Sequence, residues 1–82
     1  MRRGNDMLSL NDVSAARLLF QRAAEAGNAD AMLALGRTYD PNVITQSKLM
    51  LAADPAEARR WYRRSAAAGN KEADMLLQRL GS

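Results

Sequence analysis

Ala58-Arg59-Arg60-Trp61-Tyr62-Arg63-Arg64-Ser65-Ala66-Ala67-Ala68-Gly69-Asn70 restates, 42 positions on, the segment Ala16-Arg17-Leu18-Leu19-Phe20-Gln21-Arg22-Ala23-Ala24-Glu25-Ala26-Gly27-Asn28. The echo continues through Ala31, Leu35 and Arg37, which match Ala73, Leu77 and Arg79. Residues 15–39 set against 57–81 share 10 identities, counted position by position. A fixed period of this length, with no reactive group placed uniquely, predicts a helical repeat whose work is to present a surface.

The second copy carries the fuller helix grammar. In Asp54-Pro55-Ala56-Glu57 a capping carboxylate precedes a proline at the first helical position, and a glutamate stands where it can reach back to the cap's amide. A helix is expected to run through Ala58, Tyr62, Ser65 and Ala66 on one face and to stop at Gly69. Asn70 then caps a second helix, with Ala73, Leu77 and Leu80 inward. In the first copy Asn11 or Asp12 is read as the cap, and Val13, Ala16, Phe20, Ala23 and Ala24 as the inner face. Gly27 ends that helix, and Asn28 opens another carrying Ala31, Met32, Leu35 and Tyr39. Ser65 stands where the first copy has Ala23; its small size suits a close contact, with its hydroxyl expected to bond back to its own helix.

The expected architecture is therefore all-α, one domain over 1–82: a short helical remnant at 1–10, a hairpin at 11–39, an ordered connection at 40–53 and a second hairpin at 54–80. Alanines at 16, 24, 31, 58, 66 and 73 would let helix axes approach at the short end of the usual range of about 8–10 Å. The 40–53 connection is longer than the roughly 2–8 residues that normally join packed helices. It opens on Asp40-Pro41, which suits a turn or a short helical segment over 42–46, and it carries Val43, Ile44, Leu49, Met50 and Leu51. Those side chains are expected to fold over the hairpins; the alternative is a lid that binds a partner. A helical wheel with Phe20 and Tyr62 inward points Leu18, Leu33 and Met75 outward, where stacking makes them interfaces: Leu18 against the N-terminal segment, Leu33 against the second copy, and Met75 with Leu76 an open apolar end, for which end-to-end self-association on a neighbour's Leu8 or Leu18 is one reading.

Composition removes whole classes of chemistry. With no cysteine and no histidine, disulfides, thiolate zinc sites, a Ser-His-Asp triad and a histidine proton shuttle are excluded. No cofactor, metal or small-molecule substrate site is read from the remaining residues, since Asp12, Asp30, Asp54 and Glu57 are accounted for by helix N-termini. The longest uncharged apolar stretch falls far short of the ~20 residues of a membrane span, and no secretory core follows Met1-Arg2-Arg3. The compartment stays open, cytoplasmic or periplasmic.

Net charge is only +3, but ten of the twelve cations are arginine, and Arg59, Arg60, Arg63 and Arg64 fall within six residues. Beside them Trp61 is read as a half-exposed edge residue and interface anchor. These five are the candidate contact residues. Four guanidiniums in two turns suit a carboxylate-rich peptide held by bidentate hydrogen bonds. A solvated helix face is the plain alternative, and a nucleic acid or other phosphate-bearing ligand, gripped by the arginines and stacked on Trp61 and Tyr62, is a third. Nine acidic residues and the small net charge weigh against the last.

The pattern Ala58-x-x-Trp61-Tyr62-Arg63-Arg64-Ser65-Ala66-x-x-Gly69-x-x-x-Ala73-x-x-x-Leu77, with Ala16-x-x-x-Phe20-x-Arg22-Ala23-Ala24-x-x-Gly27-x-x-x-Ala31-x-x-x-Leu35-Gly36-x-x-Tyr39, resembles the Sel-one-like repeat, a relative of the tetratricopeptide repeat. The resemblance implies antiparallel hairpins stacked in a right-handed α-solenoid, no enzymatic activity, and service as an adaptor or scaffold for other proteins, often in bacterial envelopes. It also implies a piece from the C-terminal part of a larger bacterial protein, of which a purely structural, self-associating segment is another version. The long 40–53 connection departs from the family's glycine-rich loop, and Gln78 and Gly81 replace Gly36 and Tyr39 in the second copy, as in a terminal repeat.

Overall fold

The computed structural model describes residues 9–44 and 47–81, and among them all regular structure is helical. Four α-helices follow in order: α1 (Leu10–Glu25), α2 (Ala29–Tyr39), α3 (Pro55–Ala67) and α4 (Lys71–Arg79), with a 3₁₀ segment Ser47–Ala52 between α2 and α3. Packing follows chain order, α1 on α2, α2 on α3 and α3 on α4. No helix among the described residues is long and apolar enough to cross a membrane.

The two tight turns are built identically. Gly27 (φ +95°) and Gly69 (φ +108°) take the left-handed conformation that glycine adopts without a side-chain clash. Each turn closes with the amide of the glycine bonded to Ala24 or Ala66, and the amide of the next asparagine to Ala23 or Ser65. That asparagine then caps the following helix. Asn28 Oδ1 accepts the amide of Ala31, and Asn70 Oδ1 accepts those of Glu72 and Ala73. One Ala-Gly-Asn triplet thus satisfies the end of one helix and the start of the next, which is why it is the most faithfully repeated part of the chain.

Two local expectations are corrected. Helix α1 begins earlier than expected, because Ser9 rather than Asn11 or Asp12 is its cap. Asp12 is instead the third helical residue of a capping box, accepting the Ser9 amide while Ser9 Oγ accepts its own. The expected 1–10 remnant otherwise lies outside the described residues. At α3 the reciprocal bond from Glu57 does not form: Asp54 Oδ1 caps the amides of Ala56 and Glu57, but the Asp54 amide is taken by the Tyr39 carbonyl at 2.8 Å. Glu57 turns to Arg60, 3.3 Å away. In the connection the turn expected at Asp40-Pro41 forms, with the Asp40 carbonyl accepting the amides of Val43 and Ile44, and a 3₁₀ segment follows at Ser47–Ala52.

Two apolar clusters form the core. Ala24, Ala31, Met32, Leu35 and Trp61 make one, flanked by Phe20, Ala23 and Tyr39. Leu33, Ala58, Tyr62, Ala73 and Leu76 make the other, flanked by Tyr39, Ala66, Leu77 and Leu80. Leu33 is buried with Ala58 and Tyr62 of α3, the interface with the second copy expected of it, whereas Leu76, read as part of an open apolar end, is a core residue of the same cluster because α4 lays it on α3. Leu18 and Met75 do face solvent, each 56% exposed.

Candidate functional site

The arginine run lies on α3, whose opposite side is held between α2 and α4. Ala58, Trp61, Tyr62 and Ser65 are buried, so the arc left to solvent is arginine-rich: Arg60, Arg63 and Arg64 are exposed and Arg59 is half-buried. Only Arg60 has an ion-pair partner among the described residues, its neighbour Glu57. An exposed pair one turn apart stabilises by only about 0.3–0.5 kcal/mol, so the strip remains electrostatically available.

Trp61 is not the half-exposed anchor expected. It is 4% exposed and packs with Met32, Leu35 and Ala24, since α3 inserts it against α2 and the end of α1. What remains accessible is the arrangement over it. The guanidinium carbon of Arg64 lies 4.4 Å from the indole ring centroid and that of Arg60 lies 5.3 Å away, both within cation–π range. The buried ring thus serves as a fixed platform for two of the four arginines. With Tyr62 also fully buried, neither aromatic is open to stack a nucleobase, and that part of the nucleic-acid reading loses its basis.

Tyr62 does other work. Its hydroxyl donates to Asp40 Oδ2 at 2.6 Å, and Asp40, likewise fully buried, accepts the Asn42 amide at Oδ1. Burial first, and then the bond to Asp40, push the phenol far above its usual range. Gly36 is the residue that lets the ring in: a Cβ there would stand 2.6 Å from Cδ1 and Cε1 of Tyr62. Ser65 Oγ donates to the Ala29 carbonyl of α2 at 2.7 Å, so its hydroxyl ties two helices together instead of turning back on its own.

Sequence reasoning missed Arg17. Its Nη2 donates to the carbonyls of Thr38 and Ala52, both at 2.7 Å, its Nε to Thr38 Oγ1, and its guanidinium sits 3.6 Å from the Tyr39 ring centroid. It clamps α1, α2 and the end of the connection together, whereas its repeat counterpart Arg59 has no hydrogen bond or ion pair among the described residues. Nothing local distinguishes the two arginines. Only the 40–53 connection supplies the carbonyl of Ala52.

Within the connection Leu49 is buried, and Val43 and Ile44 half-buried. With Val13, Ala16 and Phe20 of α1 they surround an apolar cavity of about 300 Å³, so these residues fold onto the hairpins without filling the space completely. Met50 stays exposed, and the side chain of Leu51 lies outside the described ones.

Set against protein families, curated proteins and solved structures, the chain matches none of them. The candidate site therefore stands on its own geometry: a strip of arginines, two of them laid on a buried indole, with a single carboxylate among them.

Proposed function

We propose that this chain is a protein-interaction module with no chemistry of its own: two hairpins of the Sel-one-like kind, stacked as a short right-handed α-solenoid, that dock an acidic segment of another protein along Arg59, Arg60, Arg63 and Arg64. The repeat residues quoted above and the helix-on-helix packing in chain order support the architecture.

The observation that carries the docking reading is the seating of Arg60 and Arg64 on Trp61. An arginine side chain loses considerable rotamer freedom when it grips a ligand. Stacked on a fixed ring, these two have lost part of it beforehand, so less is lost on binding. The planar guanidinium suits bidentate carboxylates, and the thin neutralisation of the strip leaves it attractive to anions.

Trp61 is the only tryptophan, so its emission reports directly on this strip. Titrating the protein with a glutamate-rich peptide is expected to give a saturable change in tryptophan emission. An Arg60→Glu/Arg64→Glu variant that circular dichroism shows still helical is expected to lose it. Equal binding by both proteins, or none by the wild type, would overturn the assignment. A single-stranded oligonucleotide run in parallel, binding tighter than the peptide and with a steep salt dependence, would transfer the strip to phosphate-bearing ligands.

A further inference from the structure

The joint between α2 and α3 can be compared, residue by residue, with the faces at the two ends of the molecule, because the 42-residue period maps α2 onto α4 and α3 onto α1. On α2 the joint is made by Met32, packed with Trp61, by Gly36, against which the Tyr62 ring lies, and by Tyr39, which reaches both clusters. The corresponding residues on the α4 side are Asp74, Gln78 and Gly81, and all three are exposed. On α1 the places of Ala58, Trp61 and Tyr62 are held by Ala16, Leu19 and Phe20. Leu19 is 66% exposed where Trp61 is 4% exposed. α1 therefore keeps the apolar character of the joint, exposed at Leu19 and, at Ala16 and Phe20, facing the cavity shared with Val43, Ile44 and Leu49; α4 keeps it at Met75 and Leu77, the counterparts of Leu33 and Leu35, and loses it at Asp74, Gln78 and Gly81.

We propose that Asp74 and Gln78 close α4 to the α1 face of a second copy, so that stacking in the α2–α3 geometry stops at α4 even though α1 retains a receiving surface. In that geometry Asp74 would be pressed onto Leu19, taking a carboxylate out of water against an apolar side chain, with Arg22, the counterpart of Arg64, as the neighbouring cation. Gln78 would occupy the space that Gly36 leaves for a ring, here the ring of Phe20. A continuing, head-to-tail stack is barred by these two side chains, since Ala73, Met75 and Leu77 preserve the pattern elsewhere on α4 and the third change, Gly81 for Tyr39, adds no obstructing side chain. This holds whether or not the arginine strip binds anything.

The test is solution mass as a function of concentration. Wild type is expected to stay monomeric, and Asp74→Met/Gln78→Gly to form dimers and longer head-to-tail species. Adding Leu19→Glu is expected to return that variant to a monomer. Should the glycine loosen α4, Asp74→Met/Gln78→Ala serves in its place, because the Phe20 ring, with no hydroxyl to anchor it as Tyr62 is anchored, can shift aside for one methyl group. Helical content is checked throughout by circular dichroism. Two helical variants that both stay monomeric would overturn the proposal, as would wild-type assembly that Leu19→Glu abolishes, or variant assembly that Leu19→Glu leaves untouched.

Discussion

Tyr62 and Asp40, 22 residues apart, are bonded through a 2.6 Å contact inside the core, with no solvent reaching either side chain. The bond joins the middle of α3 to the residue that ends α2, and the Asn42 amide on the same carboxyl group extends the tie to the start of the inserted connection. A buried acid and a buried phenol thus solve each other's desolvation.

Tyr62→Phe is expected to destabilise the protein by roughly 1–3 kcal/mol, because it leaves a buried acceptor without its donor. The phenol's proton affinity is raised by folding, while the unfolded chain releases that proton near pH 10. The contribution is complete below that pH and is lost as pH rises above it, where unfolding releases a proton. Urea denaturation of wild type is expected to show stability falling above about pH 10, and the Phe variant to show a shallower fall.

Two kinds of glycine predict two patterns of substitution. At Gly27 and Gly69 a Cβ would meet nothing within 4 Å, and only positive φ stands in the way. Alanine is expected to cost about 1 kcal/mol at either site, and asparagine, which tolerates this conformation, less. At Gly36 φ is ordinary, but the Tyr62 ring, pinned by Asp40, cannot retreat. Alanine there is expected to cost roughly 1–3 kcal/mol from overpacking despite its better helix propensity, and asparagine more. Chemical denaturation of the six variants distinguishes the causes by the order of alanine and asparagine at each site.

Arg17 and Arg59 occupy the same place in the period but not in the structure. Arg17→Lys removes a planar fork bonded to two carbonyls and a hydroxyl, and is expected to cost roughly 1.5–3 kcal/mol, the range for a hydrogen bond to a charged group. It is also expected to speed amide exchange in the 47–54 segment, whose end the clamp holds. Arg59→Lys is expected to fall within about 0.5 kcal/mol of wild type.

Much of the secondary structure was legible because its determinants are local. Asp54, Asn28 and Asn70 meet amides two or three residues away, and Gly27 and Gly69 close turns within a six-residue span. The start of α1 was misplaced for an equally local reason: Ser9 and Asp12 form a capping box, and the acid, taken as the cap, is its third helical residue. The arginine strip was legible as a face, because helical spacing alone puts those four residues on a shared arc.

Four helices and their turns can be read from the chain alone, since caps and turns are settled by contacts within one or two turns of chain, and the 42-residue echo pairs them. Which faces are buried is set by how the helices pack on one another. Trp61 and Leu76 went into the core because α3 has neighbours on two sides, α2 receiving Trp61 and α4 bringing Leu76, which a wheel drawn around one inward direction cannot represent. The same holds for the polar partnerships. Ser65 reaches Ala29 and Tyr62 reaches Asp40 across helices, and Arg17 reaches Ala52 across the inserted connection. The partner of a buried polar group is whatever the fold brings within 3 Å of it, and no spacing along the chain encodes that distance.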